Sequence, residues 1–161
     1  MRHGRLVEDF SMFIPSNILV PTDFSNYSTC ALNHAVQVAK QCRAKIHLLH
    51  VVDEGLWQCI VDCRLSNALM QKIEEENLKM STEKLQQEAA CISETNADVE
   101  IFYNVKQGIP YYEIINVQEE KKIDLIVIAS HGKTGLQKHL IGSVAEKVLR
   151  GAKCDVLLVR A

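Results

Sequence analysis

Five short, branched apolar runs recur along this chain, each parted from the next by residues whose apolar positions suit a helix. The runs are "NILVPT" (17–22), "KIHLLHVV" (45–52), "DVEIFYNV" (98–105), "DLIVIAS" (124–130) and "DVLLVRA" (155–161). Their lengths and branched residues read as strands, and those without polar alternation as strands buried on both faces. Between the first two, Ala31, Ala35, Val38, Ala39 and Cys42 form one helical stripe, with Asp23, Ser25 and Asn26 as candidate caps. Residues Asp53 to about Arg64 carry no clear period. Leu65, Leu69, Ile73, Leu78, Leu85, Ala89 and Ile92 then mark a long amphipathic helix, with Glu74–Glu76 on its solvated face. Pro110 suits the first turn of a third helix bearing Ile114 and Ile115, and a fourth spans about Ser143 to Arg150. The third run, alternating at Val99, Ile101 and Tyr103, reads as an edge strand. Strict alternation of strands and helices predicts an α/β fold with a parallel sheet covered on both faces.

At 161 residues the chain suits one domain, here 17–161, preceded by an arm over 1–16 that can pack through Phe10, Met12, Phe13 and Ile14. A domain of this size buries roughly 70% of its unfolded surface. The net charge of −2 lacks the basic footprint of a nucleic-acid or anionic-membrane binder. No apolar run approaches the ~20 residues that span a bilayer, and the arm lacks the apolar centre of a secretory signal. Six scattered cysteines, with Cys59 and Cys63 four apart, read as free thiols of a cytosolic protein. His34, His47, His50 and His139 share no metal-ligand spacing.

Gly132-Lys133-Thr134 raises the question of a phosphate-binding P-loop. That pattern needs its first glycine at position 127, which is Val127, inside a strand. A second geometry uses the same segment differently. Gly132 follows a strand, and Gly142-Ser143 opens a helix whose Ser143-Val144-Ala145-Glu146 has the form of a capping box. Backbone N–H groups in such a first turn attract anions, and glycines at 132, 135 and 142 allow close approach, with Lys133 and Lys138 adding charge. Glycines serving turns, a capping serine and solvated lysines account for the same residues without a ligand. "LVPTDFS" and "VIASHGK" echo each other as strands running into a polar turn.

Taken together, "NILVPTDFS", "LLHVVDEG", "GIPYYEII", "DLIVIASHGKTGLQKHLIGSVAEKVL" and "CDVLLVR" resemble the universal stress protein family from Asn17 to Ala161. The resemblance implies an open five-stranded parallel sheet of order 3-2-1-4-5, Rossmann-like and similar to the adenine nucleotide alpha hydrolases. It also implies ATP, AMP or ADP at the carboxyl ends of strands 1 and 4, with Mg²⁺ or Mn²⁺ accompanying the phosphates. Ligands of open α/β sheets bind at such a reversal of strand order. The nucleotide-binding branch carries Gly-x-x-Gly-x₉-Gly-[Ser/Thr], which Gly132, Gly142 and Ser143 match, with Ala129 in place of the first glycine. On that pattern Pro21, Thr22 and Asp23 lie by the adenosine, and Val51 and Ile128 line the adenine slot. Gly132, Gly142, Ser143 and Val144 hold phosphates, with His131, Lys133 and Thr134 nearby. Asp23 has an alternative reading as a cap of the first helix. The extra methyl of Ala129, if pressed against ligand, costs about 1–3 kcal/mol, roughly 5- to 150-fold in affinity; if it points into the core it is nearly silent.

These features point to a cytoplasmic adenine-nucleotide-binding protein acting in stress response through nucleotide-linked conformation or partner contacts. It would be a homodimer through the apolar C-terminal strand, with no nucleic acid or membrane partner. Two other readings follow from the same residues: a family member without nucleotide that works as a dimeric interaction protein, and a slow ATP hydrolase with His131 as its base. The sequence offers no clear catalytic residue.

Overall fold

The computed structural model describes residues 13–53, 67–133 and 141–160. The elements run β1 (Asn17–Pro21), α1 (Asn26–Cys42), β2 (Lys45–Asp53), α2 (Asn67–Thr95), β3 (Ile101–Gly108), α3 (Pro110–Glu120), β4 (Leu125–Ala129), α4 (Ser143–Gly151) and β5 (Asp155–Val159). The strands form one sheet of order β3-β2-β1-β4-β5, and every neighbouring pair is parallel. The expected α/β architecture and strand order are therefore those of the molecule.

Alternation along each strand explains why its central runs lack polar residues. Ile18, Val20, Leu48, Val127 and Ala129 point to one face, where they pack with Ala31, Leu32, Ala35 and Val36 of α1 and Leu85 and Ala89 of α2. Leu19, Leu49, Ile126 and Ile128 point to the other and meet Ile114 and Val117 of α3 and Ala145 and Val148 of α4. A strand with helices on both sides has no solvent face to make polar. All five residues of β4 are buried, so truncating Ile126 to alanine removes about 2–5 kcal/mol.

Local signals set most element ends. Ser25, rather than Asp23, caps α1: its hydroxyl accepts from the Ser28 amide at 3.2 Å. Pro110 occupies the first turn of α3, where a missing N–H costs nothing. Gly108 ends β3 at φ +149°, a conformation that side chains rarely adopt. The expected edge strand is β3, although it begins at Ile101 and leaves Tyr103 exposed.

Two expectations do not hold. The apolar stripe of α2 is buried only in its second half: Leu85 and Ala89 are covered, whereas Leu69 and Leu78 are exposed. At 29 residues the helix is about 43 Å long, against roughly 17 Å for a five-residue strand, so part of it overhangs the sheet. Phe13 and Ile14 of the arm are also exposed rather than packed. Residues 1–12, Cys59, Cys63, Leu65 and most of the aperiodic stretch after Asp53 lie outside the described residues. Cys30, Cys42, Cys91 and Cys154 are free thiols.

Candidate functional site

The sheet carries a notch at its carboxyl edge. Strand β1 stops at Pro21, paired with Leu49, while β2 continues to Asp53. β4 lies on the other flank. The turns that follow β1 and β4 thus emerge side by side.

Thr22 is the fixed point of the first turn. Its amide donates to Leu49 O at 2.8 Å, and its carbonyl accepts from His50 Nδ1 at 2.8 Å. Its hydroxyl donates to Ser28 Oγ at 3.1 Å and accepts from the Phe24 amide at 3.1 Å. A carbonyl can only accept, so the proton of His50 sits on Nδ1. Burial holds His50 below the usual histidine range, in the neutral form. Phe24 follows at φ +61°, its ring 4.3 Å from that of His50 and 4.6 Å from Lys84 Nζ.

Asp23 spans the two turns. Oδ1 accepts from the Ser25 amide at 3.0 Å and Oδ2 from the Lys133 amide at 2.7 Å. Burial alone would raise its pKa, but hydrogen bonds from Ser25, Lys133 and Ser28 outweigh it and hold the carboxyl below its ordinary value. Gly132 passes close beside it: a Cβ there would lie 2.7 Å from Asp23 Oδ2, and the carboxylate would have to shift.

The second turn closes on itself. The Ser130 amide donates to Val159 O at 2.7 Å, and Ser130 O accepts from the Gly142 amide at 2.8 Å. This brings the start of α4 against the end of β4. Gly142, not Ser143, is the cap residue of α4, and no side chain caps the helix. The expected capping box therefore does not form; Ser143 sits one position inside the helix, exposed, and Glu146 pairs with Arg150 at 3.0 Å. The first helical bond runs from the Glu146 amide to Gly142 O, which leaves the amides of Ser143, Val144 and Ala145 ahead of the intrahelical ladder. A helix start of this kind favours an anion.

The remaining candidates divide by face. Ile128 is buried in the α3–α4 core and Val51 packs partly against it, both on one face of the sheet. Val144 turns its side chain to the same core, so only its amide is free for a ligand. Ala129 belongs to the opposite core, with α1, and is 8% exposed. Its methyl fills packing space beneath the site. His131 bonds Ser130 Oγ through Nδ1 at 2.8 Å and packs 5.8 Å from Tyr27, while its buried Nε2 has no partner. That ring is set into the wall of the site. Thr134, Gly135, Lys138 and His139 lie outside the described residues. Among the described residues no three His, Cys, Asp or Glu side chains group as a metal site. Also among them, no helix is long and apolar enough to cross a membrane.

Sequence reading missed Phe24, Ser28, Lys84, Glu88 and Ser130 as parts of this site. Lys84 and Glu88 reach it only because α2 returns across the sheet, and neither carries a local signal of that.

Comparison with known proteins places this arrangement. The universal stress protein family model matches residues 15–160. Universal stress protein MJ0531 of Methanocaldococcus jannaschii is 36% identical over 152 residues, covering 89% of this chain and 81% of its own. Universal stress protein MJ0577 of the same organism is 34% identical over 154 residues, covering 89% and 93%. The solved structure of MJ0577 superposes with a TM-score of 0.74 over 92% of this chain and 98% of its own, at 30% identity. A universal stress protein in complex with cAMP shares the fold at 24% identity and a TM-score of 0.59, covering 92% and 98%. The chain belongs to the universal stress protein family.

Proposed function

We propose that this protein binds an adenine nucleotide, ATP in the first place, in the notch between the β1 and β4 turns. In this reading it acts as a cytoplasmic homodimer in stress response, through nucleotide-linked conformation or partner contacts. The observation that carries the reading is the bond from the Lys133 amide to Asp23 Oδ2, which ties the two turns together beside a helix start without a side-chain cap.

Each part of a nucleotide has a fitting partner. Val51 and Ile128, which share the face toward α3 and α4, would supply the apolar walls for the base. Pro21, Thr22 and Asp23 edge it with backbone groups and one carboxylate. Gly132 and Gly142, with the Ser143 hydroxyl and the amides of Ser143 and Val144, offer donors to phosphate oxygens without a Cβ in the way. Mg²⁺ or Mn²⁺ would enter with the phosphates. Hydrolysis has weaker support, since the unpartnered nitrogen of His131, the candidate base, is buried beside Tyr27.

Equilibrium binding of ATP to nucleotide-free protein tests the proposal. Saturable uptake at or below millimolar ATP is expected. No uptake by a protein with a folded circular-dichroism spectrum overturns it and favours the interaction protein without nucleotide.

A further inference from the structure

Two ammonium groups from distant parts of the chain meet on one ring. Lys84 Nζ, from α2, lies 4.6 Å from the centre of the Phe24 ring, and Lys133 Nζ, from the β4 turn, lies 5.8 Å from it. Like charges brought together repel, and the π face of the ring offsets only part of that. Among the described residues neither ammonium belongs to an ion pair, although Lys79, on the same helix as Lys84, pairs with Glu83. The neighbouring carboxylates do not fill the gap. Asp23 has both oxygens taken by the amides of Ser25 and Lys133, and Glu88 Oε2 is buried without a partner.

The ring that gathers the two lysines is itself strained into place. Phe24 has φ +61°, an outlier for a bulky residue. Its amide is fixed on the Thr22 hydroxyl at 3.1 Å, and its ring packs 4.3 Å from that of His50. Strain that the surroundings enforce in this way clusters where ligands are gripped.

We propose, resting on the nucleotide reading above, that Lys84 and Lys133 on the Phe24 ring form a cationic subsite for the outer phosphates of a polyphosphate, so that the notch selects ATP over AMP.

The two charges lie along the turn that leads to the start of α4. Ser130 O accepts from the Gly142 amide at 2.8 Å. Lys133 follows Ser130 by three residues, at most about 10 Å of chain. The α4 amides serve the oxygens of one phosphate. Further phosphates bring more negative charge into the same opening. Two ammonium groups on flexible stems, each held only by a π face, can leave the ring for those oxygens and gain charge-assisted hydrogen bonds. A monophosphate offers them nothing beyond what the amides already hold.

The test is calorimetry of ATP, AMP and inorganic tripolyphosphate with the wild type, Lys84→Gln, Phe24→Leu and, as a control on the same helix, Lys79→Gln. Lys84→Gln should bind ATP about fivefold more weakly or worse, and AMP within about twofold. Phe24→Leu keeps an apolar side chain against His50 but has no π face, and it should lower the same ATP-to-AMP ratio. Lys79→Gln should match the wild type. An unchanged ratio in Lys84→Gln or Phe24→Leu overturns the proposal even where thermal unfolding shifts, because a lysine that merely covers the ring acts on stability alone. Equal losses for ATP and AMP, or an equal effect of Lys79→Gln, overturn it as well. If ATP binds the wild type and Lys84→Gln alike, the nucleotide reading stands and the subsite falls. If the wild type takes up tripolyphosphate but neither nucleotide, and Lys84→Gln takes up less, the subsite stands and the nucleotide reading falls. Uptake of none of the three overturns both.

Discussion

Asp23 and Lys133 are 110 positions apart, yet the Lys133 amide donates to Asp23 Oδ2 at 2.7 Å. The bond holds the β1 turn to the β4 turn where the strand order reverses. A carboxylate that accepts backbone bonds from both sides is more than a helix cap, a task that falls to Ser25. Asp23→Asn halves the acceptor capacity and should cost about 1–3 kcal/mol. The wild-type carboxyl sits below its ordinary value, so its stabilisation is present above the unfolded-state pKa of about 3.9 and is lost as pH falls through the folded value. Urea denaturation between pH 2.5 and 6 should show the wild type losing stability toward acid more steeply than Asp23→Asn.

Gly132→Ala tests the same contact from the other side. The new Cβ would stand 2.7 Å from Asp23 Oδ2, so the carboxylate must move and release Lys133. A loss of about 1–3 kcal/mol is expected in chemical denaturation, with ATP affinity falling at least tenfold in calorimetry.

Gly142→Ala separates fold from ligand. Gly142 has φ −61°, open to any residue, and a Cβ would meet Ser130 O at an ordinary 3.4 Å. Stability should change by less than about 1 kcal/mol, the scale of a cap substitution. A phosphate seated on the α4 amides would nevertheless meet the new methyl. Calorimetry should show ATP affinity at least tenfold weaker in a protein whose thermal unfolding is nearly unchanged; unaltered affinity would move the phosphates away from Gly142.

How far the sequence led can be judged from these same residues. The sheet was legible because β4 and β1 are buried on both faces, and a run such as Leu125–Ala129 has few other solutions. Gly132 and Gly142 were legible as a spaced pair. The capping box at Ser143 was a false signal: the chain enters α4 through the Gly142–Ser130 bond, a tertiary contact that outranks the local pattern. Glu88 was unreadable for a related reason. On a helix rich in glutamate it has the appearance of a solvated residue, and only the packing of α2 against the sheet buries its Oε2.

Ala129→Gly restores the glycine that the nucleotide-binding pattern carries. The alanine methyl lies in the core against α1, so its removal should leave ATP affinity within about twofold. Stability should fall by about 1 kcal/mol, from lost packing and added backbone freedom. Improved affinity in the glycine variant would show that the methyl does press on ligand.

β5 is an outer strand of the sheet, paired only with β4. Val159 O accepts from the Ser130 amide, so Val159 presents its backbone groups inward to β4. Backbone direction alternates along a strand, and Leu157 and Asp155 therefore also face β4, while Val156 and Leu158 turn their N–H and C=O groups outward. Leu157 adds an exposed apolar side chain beside that open edge. A second copy pairing there would use the amides of Val156 and Leu158. Val156→Pro deletes one outward donor and spares the β4 ladder, the one setting in which an edge strand tolerates proline. Sedimentation at micromolar concentration should show a wild-type dimer and a Val156→Pro monomer with a native circular-dichroism spectrum. Leu157→Pro, by contrast, breaks a bond to β4 and should unfold the edge itself. A wild-type monomer, or a Val156→Pro dimer as tight as the wild type, would exclude pairing through this strand.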